Sequence, residues 1–177
     1  MNLTESNPAT LQSIDDLCSA LSEEDKSIYE EIIHSIQMPS LAFEKYCSWS
    51  HETYTRNCIV NTEKFELILL CWEAGQITSI HDHGGEECWV KVIDGELRET
   101  IYKANPVGAL RKFHCSTIKS GDLSFMDDSL GYHSLENLSD KRTMSLHLYA
   151  KPIRVCNYFD TDLGKLVPKS LNYDTVI

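Results

Sequence analysis

Apolar residues recur along this chain at two different periods, and the change of period falls near residue 50. Before it, Leu11, Ile14, Leu17, Cys18 and Leu21 follow one another at three- and four-residue steps, the spacing that lines one face of an α-helix. Asn7 followed by Pro8 predicts the N-cap and first residue of that helix. Ser22 with Asp25 resembles a capping box ahead of Ile28, Tyr29, Ile32, Ile33 and Ile36, which predicts a second helix. A third short helix is expected after Ser40. No chemistry is visible in this half, so it is expected to pack on the outside of the rest.

From Tyr54 onward the pattern shortens into β-rich runs: FELILLCW, ITSIHDH, CWVKVI, ELRETIY, LRKFHCSTI, TMSLHLY and IRVCNYF. Turn chemistry separates them at Asn61-Thr62, Ala74-Gly75, Asp94-Gly95, Pro106-Val107-Gly108, Ser120-Gly121 and Leu163-Gly164. Asp94-Gly95 between two such runs predicts a type I′ hairpin. Short strands at this spacing with no helices between them predict a mainly β sandwich or barrel. One domain is expected over residues 1–177, with a helical segment to about residue 50 and a β-barrel from about residue 54. No internal repeat or low-complexity segment interrupts it.

The composition is that of an ordinary globular protein, 42% hydrophobic and 24% charged in 177 residues. A net charge of −11 without any Lys/Arg cluster speaks against nucleic acid or an anionic membrane as partner. The first twenty residues have neither a basic start nor an apolar run, so no signal peptide or membrane span is expected. The cysteines (18, 47, 58, 71, 88, 115 and 156) are odd in number and include no C-x-x-C, which fits reduced thiols in the cytoplasm. Most such thiols are small apolar fillers.

The candidate chemistry starts at His81-Asp82-His83, placed at the end of a strand-like run. Side chains two apart on a strand share a face, so both imidazoles could converge on one ion. His133 lies between the strand-like runs LSFM and SLENL, where a barrel could bring it to the same mouth. An isolated H-x-H is as well read as a polar strand end. Its surroundings favour a metal: Gly75, five residues, His81-x-His83, four residues, Cys88, six residues and Gly95 resemble the first cupin motif. Cys88 stands where most cupins place a glutamate ligand. Gly121, five residues, Asp127, then His133, three residues and Asn137 resemble the second motif. These imply a cupin (double-stranded β-helix, jelly-roll) barrel with a three-histidine site and no carboxylate. Three imidazoles with open positions also describe catalytic zinc, and divalent affinities alone would favour copper or nickel.

On strand TMSLHLY, Ser145, His147 and Tyr149 share one face and Met144, Leu146 and Leu148 the other, so a polar relay is expected to point into the metal cavity. Together with Tyr54-Thr55-Arg56-Asn57, Leu70-Cys71-Trp72 and Cys88, this set resembles the cysteine dioxygenases of eukaryotic type over roughly residues 54–159. The resemblance implies Fe(II) on His81, His83 and His133, with L-cysteine and O2 as small-molecule substrates and cysteine sulfinic acid as product. It implies Arg56 as the partner of the substrate carboxylate, a task a planar guanidinium suits better than lysine. Tyr54 would line the same pocket, and His147 would orient the Tyr149 hydroxyl from the second sphere. Cys88 and Tyr149 match a pair that the family joins in a thioether. A monomer is expected. Two segments depart from the family: Glu87 precedes Cys88, and Ala150-Lys151-Pro152 follows Tyr149 where the family has Ser-Pro-Pro with a cis bond nearby, a bond costly before a non-proline residue. Alternative readings are a dioxygenase for 3-mercaptopropionate or cysteamine, which Arg56 and Cys88 disfavour, and a non-catalytic metal-binding cupin.

Overall fold

The two sequence periods become two layers in a computed structural model, which describes residues 11–176. Helix α1 (Ile14–Glu23) starts at Ser13, whose side chain accepts from Asp16 N at 3.0 Å, and Asp15 and Asp16 in its first turn suit the positive end of the helix. A 3-10 turn at Lys26–Ile28, capped by Asp25, leads into α2 (Tyr29–His34), and a longer 3-10 segment covers Ser40–Tyr46. Ile14, Leu17, Leu21, Tyr29, Ile32, Ile33 and Phe43 are buried from this layer.

The strands follow in order: β1 (Thr55–Asn61), β2 (Glu66–Trp72), β3 (Cys88–Asp94), β4 (Glu96–Ala104), β5 (Leu110–Lys119), β6 (Leu123–Met126), β7 (Tyr132–Glu136), β8 (Thr143–Tyr149), β9 (Val155–Asp160), β10 (Lys165–Ser170) and β11 (Thr175–Val176). One sheet has the order β11-β1-β2-β8-β3-β6, and β5-β4-β7 and β9-β10 form two smaller ones. The segment from Ile77 to His81 joins the small sheets through single bridges, Ile77 to Glu136 and His81 to both His133 and Tyr158. That linkage completes the wall opposite the large sheet.

Strands β2 and β8 are buried along their whole length because both faces are covered. Leu67, Leu69, Cys71, Met144, Leu146 and Leu148 pack in the cluster that holds the helices. Ile68, Leu70, Trp72 and Tyr149 face the barrel interior with Cys88, Val90 and Val92 of β3. Burying each large aliphatic side chain contributes about 1.5–3 kcal/mol, so the apolar face of β8 anchors the helical layer and leaves its polar face free for the interior.

Several sequence expectations need correction. The pair Asn7-Pro8 lies outside the described residues, and Leu11 forms a parallel bridge with Ile36 instead of a helical turn. Ser22 lies inside α1, donating to Cys18 O at 2.7 Å, so Asp25 alone caps the 3-10 turn after it. The run ITSIHDH forms single bridges and no continuous strand. His133 sits within β7. Asp94-Gly95 is not a hairpin: β3 pairs with β6 and β8, β4 with β5 and β7, and the chain crosses between sheets here. A type I′ turn needs positive φ at both central residues, and only Gly95 has it, at 82°. The hairpins at Pro106-Val107-Gly108 and Leu163-Gly164 do join paired strands.

Candidate active site

The first two histidines owe their position to backbone pairing. His81 N donates to His133 O at 2.9 Å and His133 N to His81 O at 3.0 Å, so the two residues face each other across a reciprocal bridge. Their ring centroids lie 4.7 Å apart. His83 follows on a tight loop held by two carboxylates that sequence reasoning missed. Asp128 accepts from His83 N at 2.8 Å and Gly85 N at 2.7 Å, and Asp82 accepts from Asn157 N and Nδ2 at 2.8 and 2.7 Å. Gly84 has φ +60° and a Cβ there would press on Val155 O, so no other residue fits this turn without strain. His83 then lies 4.7 Å from His133 and 5.4 Å from His81, ring to ring.

One nitrogen from each of the three rings lies within 4.8 Å of the others. Nδ1 of His81 meets Ser79 O at 2.9 Å, and Nδ1 of His133 meets Glu99 Oε1 at 2.7 Å. Acceptors there place the proton on Nδ1 and leave Nε2 as the donor lone pair, the outer-sphere pattern of metal-ligating histidines. His83 Nδ1 is buried with no partner. Burial, reinforced by His133, holds the His81 pKa down to about 3, and the same causes hold His83 well below its ordinary value. His81 and His83 are therefore in the neutral form that metals require. Burial alone would raise the Glu99 carboxyl, but hydrogen bonds from His133 and Ser124 outweigh it and keep it low. A buried His83 nitrogen with no partner among the described residues, two neutral rings and an anionic partner behind His133 together fit a divalent transition metal.

A narrow cavity adjoins His81, walled by Tyr54, Arg56, Tyr149, Tyr158 and Lys169 among others. Arg56 arrives on β1, donating through Nε to Asn172 O at 3.2 Å while its Nη2 is buried without a partner. Tyr54 stacks on Trp72 at 4.7 Å. Tyr149 and Cys88 are direct partners in the β8–β3 register. Burial raises both the phenol and the thiol above their ordinary values, so both stay protonated. The Glu87 side chain pairs with Lys26 at 3.1 Å and is not on the cavity wall. After Tyr149, Ala150 N bonds Glu87 O at 3.0 Å, and the described backbone has no cis peptide.

The inner face of β8 carries a chain of hydrogen bonds. Trp72 Nε1 donates to Ser145 Oγ at 2.9 Å, and Ser145 Oγ lies 2.9 Å from His147 Nε2. Burial keeps His147 well below its ordinary pKa, so the ring is neutral at this contact. No hydrogen bond joins His147 to Tyr149 among the described residues, contrary to expectation. Alternate residues on one strand stand about 7 Å apart, and these rings lie near-parallel at 6.5 Å. His147 meets the phenol through ring packing instead.

Glu99 and Lys169 were not singled out from sequence, and Trp72 entered only within Leu70-Cys71-Trp72, with no role attached. Glu99 did leave a signal, since it shares parity with buried Leu97 on a strand, where an unpartnered carboxylate would be costly.

A family profile described as cysteine dioxygenase type I matches residues 3–162. The chain is 30% identical over 165 residues to cysteine dioxygenase type 1 of Danio rerio, covering 89% of this chain and 82% of that one. It is 30% identical over 167 residues to the protein of the same name from Homo sapiens, with the same coverage of 89% and 82%. Among solved structures, a conserved protein with a double-stranded β-helix domain from Klebsiella pneumoniae superposes with a TM-score of 0.51, covering 73% of this chain and 93% of that one at 16% identity. That likeness speaks for the fold alone, a cupin barrel.

Proposed function

The chain belongs to the cysteine dioxygenase type I family, and we propose that it converts L-cysteine and O2 to cysteine sulfinic acid at Fe(II) held by His81, His83 and His133. The observation that carries this reading is the meeting of two features: three histidines converge beside a cavity whose wall presents a buried guanidinium nitrogen with no hydrogen-bond partner among the described residues. Iron(II), when bound, supplies a redox centre at which thiol and O2 meet. The remaining work falls to side chains. Arg56 takes the substrate carboxylate through its open Nη2, and that charge-assisted contact orients the thiol toward the histidines. Tyr149, protonated by burial, offers a hydrogen-bond donor at the same wall. Ser145, held by Trp72, keeps His147 in place behind the phenol, and burial keeps its ring neutral. Glu99 holds His133 in one tautomer. Both oxygen atoms of O2 end on sulfur, so no water or proton donor is consumed.

Cys88 is proposed to join Tyr149 through a thioether, a reading supported by their direct register. The enzyme is proposed to act as a monomer. The cytoplasm is proposed as its location, which the unpaired state of all seven cysteines supports. No described helix is long and apolar enough to cross a membrane.

The test is anaerobic loading with Fe(II), followed by O2 uptake and product mass with cysteine, cysteamine and 3-mercaptopropionate. Cysteine is expected to be preferred, with a gain of both oxygen atoms, and His133→Ala to lose iron and O2 uptake together. Full iron and near-normal uptake in that variant would remove the ligand set. Preference for 3-mercaptopropionate would remove the substrate and leave the reaction class.

A further inference from the structure

Arg56 is not the only cation on the cavity wall. Lys169 lines the same space from β10, where it pairs in register with Cys156 of β9. Leu171, just past the end of β10, lines it as well. The Lys169 Nζ sits 5.4 Å from the centre of the Tyr158 ring, another wall residue, so the ammonium is held at the rim by a cation–π contact. Its charge is felt by His81 and by Cys156.

No aspartate or glutamate lines the cavity among the described residues, and Lys169 has no carboxylate within ion-pair distance there, as holds for every described lysine but Lys26. Glu66 acts on Arg56 from outside the lining, so two cations face one small space whose own wall supplies no anion. Negative charge on a ligand would relieve their mutual repulsion. A thiol substrate turned with its sulfur toward the histidines presents its other end to this pair.

We propose that Lys169 is a second anion contact of the substrate pocket, so that preference for thiol acids over thiol amines is set by Arg56 and Lys169 together. Arg56 supplies a planar fork from the inner wall, and Lys169 supplies a mobile point charge from the rim. This inference rests on the dioxygenase reading for its substrate, but its test has a binding arm that needs no turnover.

In the iron-loaded enzyme, Lys169→Met is expected to raise KM for cysteine about fivefold, the scale of a partly exposed charge pair. The KM for cysteamine, which lacks the carboxylate, is expected to shift by less than about twofold. The kcat for cysteine should fall less than KM rises, and Lys169→Arg should restore most of the loss. The KM of the wild type should rise with ionic strength more steeply than that of Lys169→Met. In the binding arm, zinc-loaded protein is titrated calorimetrically with cysteine under anaerobic conditions, and Kd should weaken by the same factor. Equal changes for cysteine and cysteamine, or an unchanged Kd in the zinc form of Lys169→Met, would overturn the proposal. Wild-type zinc protein that binds cysteine, paired with iron protein that does not oxidise it, would remove the proposed activity and leave Lys169 to be judged on Kd.

Discussion

Cys88 and Tyr149 show how burial sets the state of single residues in this cavity. Both are held protonated by loss of solvent, so the thiol is a poor nucleophile and the phenol a poor base. A thioether between them would replace the thiol S–H and a ring C–H by one S–C bond, a two-electron oxidation in which O2 takes up the two hydrogens as hydrogen peroxide. Joining them would hold the phenol at the wall and remove its rotameric freedom before substrate arrives. After prolonged turnover with iron, cysteine and O2, intact mass is expected to fall by two hydrogens in a growing fraction of chains. Cys88→Ser should show no such species. An unshifted mass in the wild type would mean that Cys88 serves packing alone. Glu99 illustrates the same rule in reverse: it stays charged in the interior because His133 and Ser124 both bond it.

Between elements, the passage from β3 to β4 makes a strict local demand. The chain must leave one sheet and enter the other within a residue, and Gly95 makes that step at φ +82° with the Thr143 side chain filling the space a Cβ would take. Gly108, in the β4–β5 hairpin, has nearly the same φ of +81° but open space around it. Backbone strain should cost about 1–2 kcal/mol at either site, and overpacking against Thr143 should add about 1–3 kcal/mol at Gly95 alone. Urea unfolding of Gly95→Ala and Gly108→Ala is expected to show the first as clearly the less stable. Equal losses would mean that Thr143 can yield and that only the backbone conformation matters. Lys91 ties another pair of elements, reaching from β3 to His34 O at the end of α2 at 3.2 Å, so the helical layer is pinned by charge as well as by apolar contact.

For the molecule as a whole, the cluster of buried neutral histidines links stability to pH. His81, His83 and His147 are all depressed, chiefly by burial. In the unfolded chain each takes a proton near pH 6.5, while the folded state resists protonation until far lower. The unfolded state thus binds more protons below that pH, and stability must fall as pH falls through 6.5 toward the depressed folded values. Three such groups give a slope of up to about 4 kcal/mol per pH unit in metal-free protein. Chemical denaturation between pH 7.5 and 5 should show the steep loss, and replacing His147 by Gln should reduce the slope. A flat profile would mean that these rings are reached by water and protonate in place. Bound metal should deepen the dependence, because protons compete for the same nitrogens.

Period and spacing alone determined much of this protein. A helical layer outside a β-barrel and the polar inner face of β8 follow from which residues share a face, whereas His83 reaches His81 through a loop held by Asp128 and not through strand alternation. The roles proposed for Arg56 and Cys88 were legible only through the resemblance that Y-T-R-N and its companions carry. Tertiary structure decided which strands meet. Residues spaced two apart share a face whatever lies opposite, so alternation could not place Glu99 behind His133, Trp72 on Ser145, or Lys169 beside Arg56. The same limit turned Asp94-Gly95 from an expected hairpin into a crossover, since a turn dipeptide sets local backbone and says nothing of the sheet its second strand will join. Strands β10 and β11 carry too little apolar patterning to be read from sequence, being half-exposed at the edges, and only their pairing with β9 and β1 reveals them. The cavity wall that they complete is a product of long-range pairing, and the chain has to close before it exists.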